Sequence, residues 1–325
     1  MLPEVAKNHL ERLQSYIDNQ KHAQQEELEV KFWEHDRPMD IDDLKEHASE
    51  ASILLSQLSD PISRDFIEGC PLLKLISQFA VGYNNIDVQA CVENKILVTH
   101  TPVLSDACAE HAIGLLLATS RLILNAHVFI GSNRWLNFSP NLLLGKQIKG
   151  SVVGIFGAGR IGTACIKRLV PFEPSKIVYC AQAPKSHLDE IGCEFKTLDD
   201  LLPIVDFLIL TCPLTPNTKH ILNEDTLTRI KKNALIVNIA RGPVIDEGAL
   251  VHALKSGHLW GAGLDVFETE PDVHPHLLEC QNVVFTPHIA SATIETRSDM
   301  FGLCVTAIIN MLEGDDIDHL IPECK

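Results

Sequence analysis

Six residues, Gly157-Ala158-Gly159-Arg160-Ile161-Gly162, limit what this chain can fold into more than any other part of it. They follow an apolar run, residues 152–156, that reads as a buried strand, and they open a second run, residues 161–169, with helical spacing. Three glycines so placed between a strand and a helix form a dinucleotide cradle; without that context the pattern is weak. Gly157 permits the tight turn, Gly159 lets the backbone approach a pyrophosphate, and Gly162 lets the helix lie close to the strand. The helix start at Arg160 and Ile161 then offers unpaired N–H groups and a partial positive charge to the phosphates.

The end of the next strand bears on which dinucleotide is bound. An acid about 20 residues past the glycines would hydrogen-bond the ribose of NAD. Here the chain reads Tyr179-Cys180-Ala181-Gln182-Ala183-Pro184, with no carboxylate. Gln182 can bond a hydroxyl or a phosphate, and Lys185 follows closely. NADP(H) is therefore favoured over NAD(H), although an absent acid permits NADP(H) without requiring it.

At 325 residues the chain exceeds what one core ordinarily serves, so two domains are expected. Residues 151–156, 176–180, 207–211, 234–239, 261–266 and 283–286 read as strands, separated by helical runs at 161–169, 198–202, 224–230 and 247–255. That is the pattern of a doubly wound, Rossmann-like α/β sheet. Before it, short apolar runs at 30–33, 53–55, 75–79 and 96–99 read as strands, with helices at 41–49 and 86–93, a second α/β series on a parallel sheet. Residues 112–131 are the most apolar stretch but include Arg121, Asn125 and His127; a buried helix starting near Ala107 fits better than a membrane span. Residues 131–150, with Trp135 and Phe138, read either as an arm embracing a second subunit or as a plain surface loop. A last helix, near 294–312, follows the completed series and is free to return to the first domain.

Composition excludes other classes. The net charge of −16 and the lack of any basic stripe beyond Lys231-Lys232 speak against a nucleic-acid partner. Ten cysteines, no two closer than 13 residues and none in a CxxC pair, read as reduced thiols rather than a disulfide framework. With no signal-peptide pattern at Met1, a cytoplasmic location is expected. His274 and His276 are too few ligands for a metal site.

Three strand ends carry suspicious polar residues, and ligands bind at that end of a parallel sheet. Arg241 follows 234–239 and suits a two-pronged grip on a carboxylate. Glu270 follows 261–266 and His288 follows 283–286, an offset of 18 residues that fits adjacent strand ends. Reducing a 2-oxoacid needs a carboxylate grip, a hydride from nicotinamide and a proton for the ketone oxygen. Histidine suits proton transfer near neutrality, and a neighbouring carboxylate would favour imidazolium and orient it. Each residue alone has a bland structural reading; together, beyond a dinucleotide fold, they point to a catalytic set.

At these residues the sequence resembles the D-isomer-specific 2-hydroxyacid dehydrogenase family, and within it the glyoxylate/hydroxypyruvate reductase branch. The carriers are VGIFGAGRIG (153–162), CPLTPNT (212–218), NIARGPVIDE (238–247), GAGLDVFETEP (261–271) and PHIASAT (287–293). The resemblance implies that Arg241 orients substrate, that His288 is the proton donor or acceptor, and that Glu270 pairs with it. It implies that Asp265 and the backbone at Ile239 hold the nicotinamide amide, that Pro213 lines the adenine side, that Val81 and Gly82 offer N–H groups to the substrate carboxylate, and that Ser291 lines the substrate pocket. It further implies a homodimer whose flavodoxin-like α/β substrate domain is built from residues 1–101 and 291–325, beside a dinucleotide-binding domain at 102–290. Two departures stand out. Cys108 occupies a place where threonine is common, weakening a phosphate-side hydrogen bond, and Gln182 replaces the residues that usually announce the coenzyme. Glutamate rather than glutamine at 270 argues against the formate-oxidising branch, and an end at Lys325 leaves no room for the regulatory domain of many phosphoglycerate dehydrogenases. Two alternatives remain open: a dinucleotide-sensing, corepressor-like interaction protein, and a dehydrogenase of a bulkier 2-hydroxyacid with Leu104 and the Trp135 segment shaping its pocket.

Overall fold

The computed structural model describes residues 4–22, 28–33, 35, 37 and 39–325, and divides the chain into two compact units, residues 1–104 with 292–325 and residues 105–291. In the first unit β1 (Ile53–Ser56), β2 (Leu75–Gln78) and β3 (Leu97–Thr99) form a parallel sheet in that order. Strand alternation sends Leu75 and Ile76 to opposite faces. Ile76 packs with Leu44, Phe66 and Ile67, and Leu75 with Leu13, Ile17 and Val305. Burial on both faces is why these strands read as continuous apolar runs. The helix Ile294–Glu313 supplies Val305. Thr293 caps its start by accepting the N–H of Thr296 (3.1 Å), and Gly314 ends it at φ 75°. The chain then closes on β3, where the N–H of Ile321 donates to the Val98 carbonyl at 2.9 Å.

Residues 30–33 are not a strand. Leu28 and Val30 pack on the Leu75 cluster while Phe32 is 45% exposed, and no ladder forms along the run.

The second unit holds seven parallel strands: β4 (Val152–Phe156), β5 (Lys176–Cys180), β6 (Glu194–Phe195), β7 (Phe207–Leu210), β8 (Leu235–Asn238), β9 (Gly261–Leu264) and β10 (Val283–Phe285). Their order is β10-β9-β8-β7-β4-β5-β6. The direction of winding reverses between β4 and β7, the switch point at which such sheets bind ligands. All six expected strands form. The additional one, β6, pairs only Glu194 and Phe195 with β5 and is too short and polar to announce itself. Helices Ser105–Ser120 and Arg160–Leu169 pack against each other, and the first also packs on β8 and β9.

The expected single buried helix over 112–131 is two helices. Ser105–Ser120 is largely buried, but Leu122 sits at φ 55°, and Ile123–Gly131 leaves at a 56° bend with no buried residue. A left-handed leucine cannot continue a right-handed helix. Among the described residues no single helix is long and apolar enough to cross a membrane.

Replacing Ile76 by alanine should lower the unfolding free energy by about 2–5 kcal/mol in chemical denaturation, whereas Leu72→Ala, at a half-exposed site, should change it by under about 0.5 kcal/mol.

Candidate active site

The turn after β4 is built as the glycine pattern requires. Gly157 adopts φ 107°, and a side chain there would overlap the Cys212 backbone. Its carbonyl accepts the Thr211 hydroxyl at 2.7 Å, and a methyl group on Gly162 would run into that same carbonyl. Gly159, by contrast, faces open space and starts the Arg160–Leu169 helix with no side-chain cap. An uncapped helix start with no Cβ in the way has the donors and the room that a pyrophosphate needs, so Arg160 and Ile161 stand where a dinucleotide fits.

Beyond β5, Gln182 is exposed and no carboxylate replaces the missing acid. Asp189, the nearest acid, is engaged by the Tyr179 hydroxyl at 2.8 Å. Pro213 follows β7 in an exposed loop, its carbonyl accepting the Thr218 hydroxyl at 2.7 Å. Ile239 is buried just past β8.

The exits of β8, β9 and β10 carry the polar set. Asn238, nearly fully buried, donates to the Arg241 carbonyl (3.0 Å) and accepts the Ala240 N–H (3.0 Å), which shapes the turn presenting Arg241. Burial pulls the Arg241 guanidinium below its ordinary value, and the Glu270 charge opposes this. It stays cationic all the same. Glu270 and His288 meet directly, Oε2 to Nδ1, at 2.7 Å. The other Glu270 oxygen accepts the Phe267 N–H at 3.0 Å. Burial works to raise the Glu270 pKa, but the His288 hydrogen bond and charge, the Phe267 N–H and Arg241 together hold it below the usual glutamate range. An ionised Glu270 makes His288 Nδ1 the donor and leaves Nε2 for another partner. Ser291 follows, partly buried.

Asp265 directly follows β9. It is fully buried, and its carboxylate accepts the N–H groups of Ile289 and Ala290 (both 2.8 Å) and the Thr286 hydroxyl (2.6 Å), with His111 Nε2 at 3.3 Å. His288 itself stands at φ 52°, and its N–H donates to the Asp265 carbonyl at 2.7 Å. A left-handed residue flanked by ordinary ones turns successive N–H groups inward as an anion nest. Asp265 fills that nest and so fixes the turn that carries the imidazole. Burial pushes its pKa up, but His111, Thr286 and the two amides outweigh that and hold it low.

His111, Thr286 and Asn238 were not singled out from sequence. Each is a polar residue in or beside an apolar run, the one signal that marks it. In the other unit, the Val81 carbonyl faces His100 Nδ1 at 3.1 Å and the Gly82 carbonyl accepts from Gln78 at 3.4 Å. Gln78 is fully buried; it accepts the Ser56 hydroxyl (2.6 Å) and donates to Asn85 (2.9 Å), a network that shapes the 79–86 loop.

Asp265→Asn puts an NH2 where an acceptor is needed and should cost about 1–3 kcal/mol of stability at neutral pH. Because the folded pKa of Asp265 is depressed, that stabilisation is present above the ordinary aspartate value of 3.8 and is lost as pH falls through the folded value. Denaturation of both proteins across pH should show the gap narrowing only in acid.

Residues 113–290 match the family model described as D-isomer specific 2-hydroxyacid dehydrogenase, NAD binding domain. A glyoxylate reductase of Pyrococcus furiosus is 41% identical over 297 residues, spanning 90% of this chain and 88% of that protein. The structure of an NADPH-dependent glyoxylate/hydroxypyruvate reductase from Sinorhizobium meliloti, in complex with NADP and malonate, aligns with a TM-score of 0.77 at 35% identity over 84% of each chain. A D-lactate dehydrogenase from Aquifex aeolicus, complexed with NAD and lactic acid, aligns with a TM-score of 0.81 at 27% identity, covering 93% of this chain and 94% of that one. With that profile match, and with over 40% identity along nine-tenths of its length to one such reductase, this chain belongs to the D-isomer-specific 2-hydroxyacid dehydrogenase family.

Proposed function

We propose that the protein reduces glyoxylate or hydroxypyruvate to the corresponding D-2-hydroxyacid, with NADPH favoured over NADH. The observation that carries the reading is the Glu270–His288 contact, which commits Nδ1 and leaves Nε2 for substrate. Names among the relatives support the substrate class, glyoxylate reductase in one case and glyoxylate/hydroxypyruvate reductase in another. The coenzyme preference is supported by the exposed, acid-free stretch at Gln182 and by the NADP held by the second relative.

The bound coenzyme supplies the hydride. Arg241 grips the oxoacid carboxylate with its remaining donors and turns the ketone toward His288. As the carbonyl carbon accepts the hydride, His288 Nε2–H passes its proton to the carbonyl oxygen, giving the hydroxyacid. Glu270, ionised, stabilises the imidazolium before transfer and keeps the ring oriented. Val81 and Gly82 are assigned as amides that bind substrate, Ile239 and Pro213 as coenzyme contacts, and Ser291 as a pocket residue. Asp265 is assigned to the nicotinamide side with Ile239, its carboxylate also positioning the His288 turn.

Residues 1–104 with 292–325 are taken as the substrate domain and 105–291 as the dinucleotide domain. A homodimer is proposed through the arm after Ile123, where Trp135, Leu136, Phe138 and Leu144 are exposed, Leu136 to 91% and Phe138 to 86%. Apolar side chains exposed to that extent are costly to leave in water. The ten free cysteines support a cytosolic setting.

Steady-state rates with glyoxylate, hydroxypyruvate, pyruvate and bulkier oxoacids, each with both reduced coenzymes, test the reading; fastest turnover of a bulky oxoacid, or coenzyme binding without turnover, would refute it. His288→Ala should lower kcat by about 10²–10⁴ with coenzyme affinity nearly unchanged. Arg241→Lys should chiefly raise KM for the oxoacid, because lysine cannot make the paired contact. Leu136→Asp with Phe138→Asp should yield monomers in sedimentation equilibrium.

A further inference from the structure

Glu247 lies outside the set that handles substrate, yet it is almost completely buried, at 5% exposure. It opens the Glu247–Lys255 helix, six residues past Arg241. Its carboxylate accepts the N–H of Glu268 at 2.9 Å. That amide lies two residues before Glu270, in the loop that carries it. The tie is reciprocal, since the Glu247 N–H donates to Glu268 Oε2 at 3.2 Å, and Glu268 Oε1 meets His220 Nε2 at 2.5 Å. The same loop lies directly on the exit of β8: a methyl group on Gly242 would overlap the Phe267 carbonyl and the Glu268 nitrogen. The segment bearing Arg241 and the segment bearing Glu270 are thus locked together through one glycine and one carboxylate.

The chemistry explains why an acid stands there. An ionised carboxylate is acceptor-only, so either oxygen can meet the Glu268 N–H. Glutamine replaces one of those oxygens with an NH2 donor. Burying a charge is costly unless it is fully used. Burial pushes Glu247 above the ordinary glutamate range, the Glu268 N–H draws it back, and the Glu268 carboxylate adds to the rise. The helix start favours the negative charge.

We propose that Glu247 is a positioning residue that sets Glu270 against His288 by holding the Glu268 amide at the start of the intervening loop. The inference rests on the reading of Glu270 as the partner of the catalytic histidine. A double-mutant cycle in the full-length enzyme tests it, with kcat, KM for glyoxylate and coenzyme dissociation constants measured for Glu247→Gln, Glu270→Gln and the double variant. Glu247→Gln should lower kcat by about 10- to 100-fold, the scale expected for a misplaced catalytic group. KM for glyoxylate and coenzyme affinity should stay within about threefold, because Arg241 and the glycine cradle are intact. In the Glu270→Gln background the same substitution should change kcat by under about threefold, since its effect passes through Glu270. Wild-type kcat in Glu247→Gln beside a slow Glu270→Gln, or an undiminished effect in the double variant, overturns the clamp alone. Wild-type kcat in Glu270→Gln overturns the reading of the pair and the clamp with it. Should Glu247→Gln fail to fold, Glu247→Asp, which keeps the charge but shortens its reach by one methylene, carries the same expectations.

Discussion

The account depends on one contact, the 2.7 Å hydrogen bond between the ionised carboxylate of Glu270 and Nδ1 of His288. It joins the loops leaving two neighbouring parallel strands, and it settles which imidazole nitrogen faces outward. Neither residue would hold this geometry unaided. His288 sits in a left-handed turn held by the buried Asp265 carboxylate and by the Asp265 and Thr286 carbonyls, and the Glu270 loop is tied at Glu268 by Glu247. In the proposed enzyme three carboxylates share the work: Asp265 holds the turn that carries the imidazole, Glu247 ties the loop that reaches it, and Glu270 faces the imidazole.

This division follows from the parallel sheet. Its carboxyl edge gathers the exits of β4, β7, β8, β9 and β10 on one side, so glycine cradle, guanidinium, acid and imidazole come from segments far apart in sequence. Rigid strands fix the spacing, and the loops need only short-range ties to finish it. The ties are of one kind, a buried carboxylate or amide side chain bonded to backbone, as Asn238 is to the Ala240 N–H and the Arg241 carbonyl and Gln78 is to the Gly82 carbonyl.

Much of this was legible from sequence, for identifiable reasons. Strands buried on both faces leave continuous apolar runs, so six of the seven strands in the larger unit stood out, and Glu194–Phe195 did not because two half-buried residues leave no run. The run at 30–33 misled because an apolar run reports burial, not whether a neighbouring strand offers its hydrogen bonds. The break at Leu122 was hidden because leucine carries no helix-stop signal and the apolar pattern continues across it. Arg241, Glu270 and His288 were visible as charged residues ending apolar strands. The supporting layer was not: the four donors on the Asp265 carboxylate come from residues 111, 286, 289 and 290, and Glu247 meets Glu268 far along the chain, contacts that local pattern does not announce.

The most direct measurement follows the Glu270 carboxyl carbon by 13C NMR through an acid titration, in the wild-type protein and in His288→Ala. The account predicts a midpoint below the ordinary glutamate value of 4.5 in the wild type, and a clear rise when the imidazole is removed and burial is left to act with less opposition. A wild-type midpoint above that value, or one that His288→Ala leaves unmoved, would contradict it.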